Sequence, residues 1–296
     1  VAALTSASDS GLGFALDEPP PGWRLANPES AKTIAAALLA GAPVRLVVEA
    51  GEAGWLHAGR ARWSEHGDLA VVVTARDLKG DGATLVYHPP VLALGVGAER
   101  GVAPAELDAL ARRTLALHGL SAHSVAGVFS IALKADEEAV HALARALGRP
   151  ARFFTAERLG REDDRLATPS EPGRRATGVA GIAEAAALAA AGPEAPLVVP
   201  KEKSARATAA IAQSQRPIEA SEVGRARGRL AIVGIGPGPQ SWRTSECERA
   251  LAEASDVVGY GLYLDLLGTA LAGKRRHQSA LGEEETFLST LASGTT

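Results

Sequence analysis

Charged residues gather where the apolar runs of this sequence end. GVGAERG (95–101) carries Arg100; Lys134, Asp136 and Glu137 follow the strand-like SVAGVFSIAL (124–133); Ser170 and Glu171 lie in a polar stretch; Lys201 and Lys203 follow LVVP (197–200). Glycines in 95–101 would let the backbone turn sharply and pass close to a ligand. A helix opening at Pro104 would then offer free N–H groups and a partial positive charge, to which Arg100 adds a full one. That is anion-binding chemistry, with a plain strand-to-helix turn as the alternative. Lysine is scarce in this alanine-, glycine- and arginine-rich chain: besides the three above there are Lys32, Lys79 and Lys274. A lysine kept where arginine is the default suits a need for a compact ammonium. His57 and His66 are isolated and read as surface residues, and no metal site is expected.

These side chains need elements to position them. NPESAKTIAAALLA (27–40) reads as a helix, with Asn27 as N-cap and Pro28 in its first turn. VRLVVEAG (44–51) and LAVVVTA (69–75) read as buried strands, and 83–97 as two short strands broken by Pro89-Pro90. From residue 91 strands and helices alternate: a strand at 91–94, a helix from Pro104 to about His118, a strand at 124–133, a helix at 137–148 stopped by Gly148, and a strand at 151–156. Residues 160–176 read as a loop, 181–192 as an alanine-rich helix, 197–200 as a strand and 203–212 as the last element. The pattern predicts an α/β fold of mostly parallel sheets with helices on both faces, in three layers. In such a sheet the loops after the strands share one crevice, so Arg100, Lys134, Lys201 and Lys203 are expected to ring a polyanionic ligand. QSQRPIEASEVGRARG (213–228) reads as a linker, RLAIVGIG (229–236) as the strand of a new unit, 245–254 as its helix and 256–260 as its next strand.

Composition narrows the classes. The chain has 296 residues, 46% hydrophobic and 22% charged, with a net charge of −3. That suits a protein with a buried core and gives no basic face for nucleic acid. The single cysteine, Cys247, excludes a disulfide framework. No leader or membrane-spanning apolar run is read, so a cytoplasmic location is expected. Methionine is absent even from position 1, which suggests that the natural start is missing.

GVGAERG, SIALKADE, PSE, IAEAAAL and VPKEKSARATAAIA resemble, in order and spacing, the C-terminal domain of the CbiG family, cobalt-precorrin-5A hydrolase, and are equally similar to the stand-alone CobE proteins. SDSGLGFALD and NPESAKTIAAALLAG look like the CbiG central region. The resemblance implies a central-like region over 1–88 and a C-terminal-like domain over 89–212. It further implies cobalamin biosynthesis on a carboxylate-fringed precorrin macrocycle, whose δ-lactone is opened with release of a two-carbon fragment as acetaldehyde. Such a step needs a base for water and donors for the oxyanion. Glu99, Asp136 and Glu171 are the base candidates; Lys134 and the backbone N–H groups of 97–101 are the oxyanion candidates; Arg100, Lys201 and Lys203 are substrate-binding. A carrier that holds the tetrapyrrole without turning it over is the alternative.

RLAIVGIGPGPQSWRT and ASDVVGYGLYLDLLG resemble the opening of precorrin methyltransferases, most closely precorrin-3B C(17)-methyltransferase. The resemblance implies a tetrapyrrole methylase half-subdomain over 229–296. Gly234, Gly236, Pro237 and Gly238 would border S-adenosylmethionine, Tyr260 and Tyr263 would face the precursor, and a complete enzyme could form a homodimer. Pro239 stands where that family commonly has an acidic residue, and the later cofactor loops are absent, so this chain alone is expected not to methylate. A nucleotide-binding oxidoreductase ranks low, because GIGPGPQ lacks the G-x-G-x-x-G spacing.

Overall fold

The computed structural model describes residues 15–59, 61–228, 230–237, 239–280 and 282. They fall into two compact units, Val1–Arg227 and Gly228–Thr296.

The first unit opens with a four-stranded sheet of β1 (Arg24–Leu25), β2 (Val44–Val48), β3 (Leu69–Val73) and β4 (Thr84–His88). Its order is β1-β4-β3-β2, with β2, β3 and β4 parallel and the short β1 antiparallel at one edge. Helix α1 (Ala31–Leu39) covers one face with Ala31, Ile34 and Leu38, packed among Val44, Val71, Val73, Leu85 and Tyr87. Asn27 precedes a 3-10 turn (Pro28–Ser30), yet its side chain caps nothing there. It donates to the carbonyls of Asp81 and Thr84 and accepts from Val86 N. The amide thus ties the helix entry to β4, a partner that sequence cannot supply.

The rest of this unit is a five-stranded sheet of order β7-β6-β5-β9-β8. In chain order it runs β5 (Leu92–Ala98), α2 (Pro104–Leu117), β6 (Val125–Ile131), α3 (Glu138–Leu147), β7 (Ala151–Phe154), α4 (Ala156–Gly160), α5 (Glu171–Thr177), α6 (Ile182–Ala191), β8 (Leu197–Lys203) and β9 (Ala207–Gln213). Leu107, Leu110, Leu115, Val140 and Leu143 of α2 and α3 pack on one face. Helix α6 and Leu159 of α4 pack with Phe129, Ile131 and Ala212 on the other, completing three layers. Gly148 closes α3 in the left-handed conformation at φ +60°, as its position predicts.

Four of the five strands run one way and β9 alone runs against them: β5, β6 and β7 pair parallel, and β9 pairs antiparallel with both β5 and β8. Three expectations are corrected. Of the glycines of GVGAERG only Gly101 turns, at φ +68°, because Gly95 and Gly97 lie inside β5. A Cβ on Gly95 would stand 2.0 Å from Ala183 O, so α6 rests its backbone on the strand there. That contact also explains the alanines of α6, since small side chains alone permit so close an approach. The 160–176 stretch contains helix α5, whose N-cap Ser170 accepts from Gly173 N. Lastly, the segment read as a linker docks on the sheet. Ile218 N donates to Pro90 O, Arg225 and Phe153 exchange backbone hydrogen bonds, and Arg152 donates to the carbonyls of Ser221, Val223 and Gly224.

In the second unit α7 (Ser245–Glu253), β10 (Asp256–Tyr260), α8 (Gly261–Leu267) and β11 (Arg275–Ser279) bury Cys247, Leu251, Leu264 and Leu267. β10 and β11 form a parallel pair. The strand expected at 229–236 is not formed over its described residues, and Leu230 and Ile232 are 66% and 89% exposed. A strand exists only by pairing, and none of the described residues pairs with this segment.

Candidate functional site

Because β9 is antiparallel to both its neighbours, β8 runs parallel to β5, and their carboxyl ends lie at the same sheet edge. The turn from β8 to β9 closes this edge: Glu99 N donates to Arg206 O at 2.9 Å. Between the turn, the end of β5, the start of α6 and the residues around Ser170 lies an open cleft of about 300 Å³. Glu99, Ser170, Lys201, Lys203 and Arg206 contribute its charged and polar lining, and Gly181 and Ile182 bring the first turn of α6 to its wall. Gly181, the residue before α6, provides no side-chain cap.

The electrostatics are set by short contacts. Arg206 Nε donates to Glu99 Oε2 at 3.0 Å, and Arg206 also reaches the carbonyls of Arg100 and Gly101. Glu106, in the first turn of α2, accepts from Ser204 Oγ at 2.6 Å and Arg206 N at 2.7 Å and so pins the turn. Lys201 Nζ donates to Thr168 O at 2.5 Å. Burial weakens the hold of the Lys201 ammonium on its proton, while the nearby Glu184 carboxylate strengthens it and Lys203 weakens it; the net shift is downward. Burial pushes Glu184 up, but hydrogen bonds from Thr168 Oγ1, Thr168 N and Lys201 N outweigh this and hold it below the ordinary range.

The residues singled out from sequence therefore divide. Glu99, Lys201 and Lys203 line the cleft. Arg100 and Asp136 are not in its lining; they pair with each other at 3.2 Å, and the Arg100 guanidinium holds the Asp136 carboxyl below its usual range. Lys134 ends a 3-10 turn (Ala132–Lys134) and is also outside the lining. Glu171 begins α5, 79% exposed, with Arg174 at 3.8 Å. The backbone oxyanion proposal is corrected at two positions, since Glu99 N is bound to Arg206 O and Gly101 N to the Glu137 carboxylate. On the approach to α2 the Glu137 carboxylate thus takes up Gly101 N, and in its first turn Glu106 N donates to Ala103 O. Arg206, Thr168 and Glu184 went unread. A signal for Glu184 was present, as a lone carboxylate in IAEAAALAAA that can be stable inside an apolar helix only with partners.

In the second unit Gly236 turns at φ +69°, and a Cβ there would meet Trp242 O at 3.2 Å; a Cβ on Gly234 would meet nothing within 4 Å. Pro237 follows, and Gly238 lies outside the described residues. Tyr260 and Tyr263 stand edge to face at 6.0 Å, Tyr263 51% exposed. The Asp256 carboxyl is held well below its usual range by Arg275, Ser255 and His277. With open space beside Gly234, these residues make one side of a glycine turn. Among the described residues no cluster of three or more His, Cys, Asp or Glu side chains could hold a metal, and no helix is long and apolar enough to cross a membrane.

Residues 92–212 match the family described as cobalamin synthesis G C-terminus, and 20–89 the cobalamin biosynthesis central region. Protein CobE of Sinorhizobium sp is 43% identical over 136 residues, 44% of this chain and 88% of that protein. The cobalt-precorrin-5A hydrolase of Priestia megaterium is 29% identical over 209 residues, 64% of this chain but 55% of the hydrolase. The cobalamin biosynthesis protein CobIJ of Mycobacterium tuberculosis is 46% identical over 52 residues, 18% of this chain and 10% of that protein. The chain thus spans about half the length of the hydrolase and a small part of CobIJ.

Proposed function

The chain belongs to the family of CobE and the central and C-terminal regions of cobalamin synthesis protein G, and from that premise we propose that its first unit binds a polycarboxylate precorrin at the Lys201 cleft and takes part in opening the lactone. The observation that carries this reading is one cleft lined by Lys201, Lys203, Arg206 and Glu99 at the shared end of β5 and β8. Three cations around one carboxylate suit an anionic ligand. At about 300 Å³ the cleft is at the small end of ligand sites, so a macrocycle lies across its open mouth and inserts peripheral carboxylates.

Of the three base candidates, Glu99 alone lines the cleft. A substrate carboxylate that takes over Arg206 releases Glu99 to accept a proton from water as its oxygen adds to the lactone carbonyl. Lys201 then replaces Lys134 as the donor to the oxyanion. The ring C–O bond breaks and the alkoxide takes the proton that Glu99 holds; acetaldehyde leaves when that hydroxyl gives its proton back to Glu99, its C–O becomes a carbonyl and its C–C bond to the macrocycle breaks, the electron pair staying on the ring and being protonated there. The Glu99–Arg206 pair also gives the carrier reading its support, because it leaves no unpaired carboxylate in the cleft lining. Incubating the chain with the lactone precursor and measuring acetaldehyde separates the two. Saturable release abolished by Glu99→Gln upholds hydrolysis, whereas tight binding without acetaldehyde overturns it in favour of the carrier.

The same proposal treats 228–296 as the opening of a precorrin methyltransferase fused to the hydrolase-like unit, supported by the short CobIJ match. With one side of a glycine turn, this segment is expected neither to bind S-adenosylmethionine saturably by calorimetry nor to methylate; methyl transfer by this chain would overturn the expectation.

A further inference from the structure

Glu184 is 0% exposed in the first turn of α6, a helix otherwise made of apolar residues. A carboxylate there loses its hydration, and only hydrogen bonds can offset the loss. Its Oε1 accepts from Thr168 Oγ1 at 2.7 Å and from Lys201 N at 2.9 Å, and its Oε2 from Thr168 N at 3.0 Å. The loop closes on itself, because Lys201 Nζ donates back to Thr168 O at 2.5 Å. One buried carboxylate thereby joins three pieces of the cleft wall: α6, the segment leading from Thr168 to Ser170, and β8 at Lys201. A well-packed apolar residue would stabilise the helix as well or better, so the charge has to be explained by what it orders.

We propose that Glu184 is the positioning residue of the cleft, holding the Lys201 ammonium, through Thr168, at the place where it meets an anionic group of the ligand. This rests on the reading that the cleft takes a polycarboxylate. Glu184 touches no ligand; it fixes the backbone on both sides of the lysine, so that ligand binding does not have to order a flexible side chain. The charged groups around Lys201 are Glu184 from α6, Lys203 from its own strand, and Glu99 and Arg206 in the cleft lining. Glu184 supplies the negative charge that helps Lys201 keep its proton despite burial.

Two substitutions in the full chain test this. Glu184→Gln removes the charge and puts an amide donor where donors already converge; Thr168→Val removes one hydroxyl and keeps the charge. The Lys201 ammonium is followed by NMR on lysine-labelled protein, assigned with Lys201→Arg, and binding is followed with uroporphyrin as the polycarboxylate probe. Glu184→Gln is expected to lower the pH at which Lys201 titrates, to weaken uroporphyrin about tenfold at neutral pH, and to move the alkaline loss of binding to lower pH. Thr168→Val is expected to weaken the probe severalfold with little change in the Lys201 titration. A role in packing alone would lower the unfolding temperature and leave the Lys201 titration and the pH limb of binding where they are in the parent. That result overturns the proposal. Should Glu184→Gln fail to fold, Thr168→Val decides by its affinity: parent-like binding overturns it. Should Lys201 titrate lower in Glu184→Gln while the parent itself ignores uroporphyrin, the positioning role stands and the polycarboxylate reading falls.

Discussion

Replacing Gly95 with alanine tests the central packing claim, that α6 lies with its backbone on β5. The added Cβ would stand 2.0 Å from Ala183 O, 2.6 Å from Ala187 N and 3.0 Å from Ala183 C. Ordinary contact begins near 3.4 Å, so the helix would have to retreat by roughly an ångström or more, since these are backbone atoms with no rotamer to change. Every residue of α6 from Ala183 to Ala191 is buried, and a shift of that size disturbs the whole layer. Overpacking of a rigid core costs about 1–3 kcal/mol, and backbone on backbone belongs at the upper end, about 3 kcal/mol. Gly160, the last residue of α4, makes the control: a Cβ there meets nothing within 4 Å and its φ is not positive, so Gly160→Ala should stabilise by about 0.5 kcal/mol through helix propensity and chain entropy. Urea unfolding measures both, read from the midpoint with the m-value unchanged. Parent-like stability in Gly95→Ala would refute the reasoning. The same variant should also weaken ligand binding, because the displaced helix start carries Glu184 and the Gly181–Ile182 wall.

Three further outcomes are expected. Arg149 donates to Gly22 O and His123 O while Arg24 donates to Gly148 O, a reciprocal brace between the entry to β1 and the end of α3; Arg149→Ala should cost about 1–3 kcal/mol and expose the first ninety residues to limited proteolysis. His88 is 1% exposed with Thr74 O at 3.0 Å from its Nδ1, and burial depresses its folded pKa, against which the Thr74 hydrogen bond is the smaller effect. Its contribution to stability is therefore complete above the unfolded histidine value of about 6.5 and is lost as pH falls toward the depressed folded value; His88→Phe should flatten that limb of a stability–pH profile, and an unchanged slope would contradict the assignment. Finally, Glu99→Gln should abolish acetaldehyde release while Asp136→Asn changes it less than about threefold, because Asp136 is outside the cleft and paired with Arg100.

The sequence by itself determined most of the elements and where the charged side chains fall along them. Runs such as LAVVVTA, the stop at Gly148 and the helix opening at Pro104 rest on local chemistry: β-branched side chains, a left-handed C-cap, a proline in the first turn. Lysines at the end of β8 were likewise legible, because the type and place of a charge are written locally. What only the tertiary structure decided is which groups meet. Gly95 reads as a turn until α6 is seen pressed on it, and the alanines of β9 fit helix as readily as strand until β5 and β8 pair with them. The docking of residues 214–225, the separation of Asp136 and Lys134 from Glu99 and Lys201, and the burial of Glu184 against Thr168 all depend on residues far apart in the chain. Strand pairing and close packing are non-local, and they sorted one ring of candidate charges into a cleft and its surroundings.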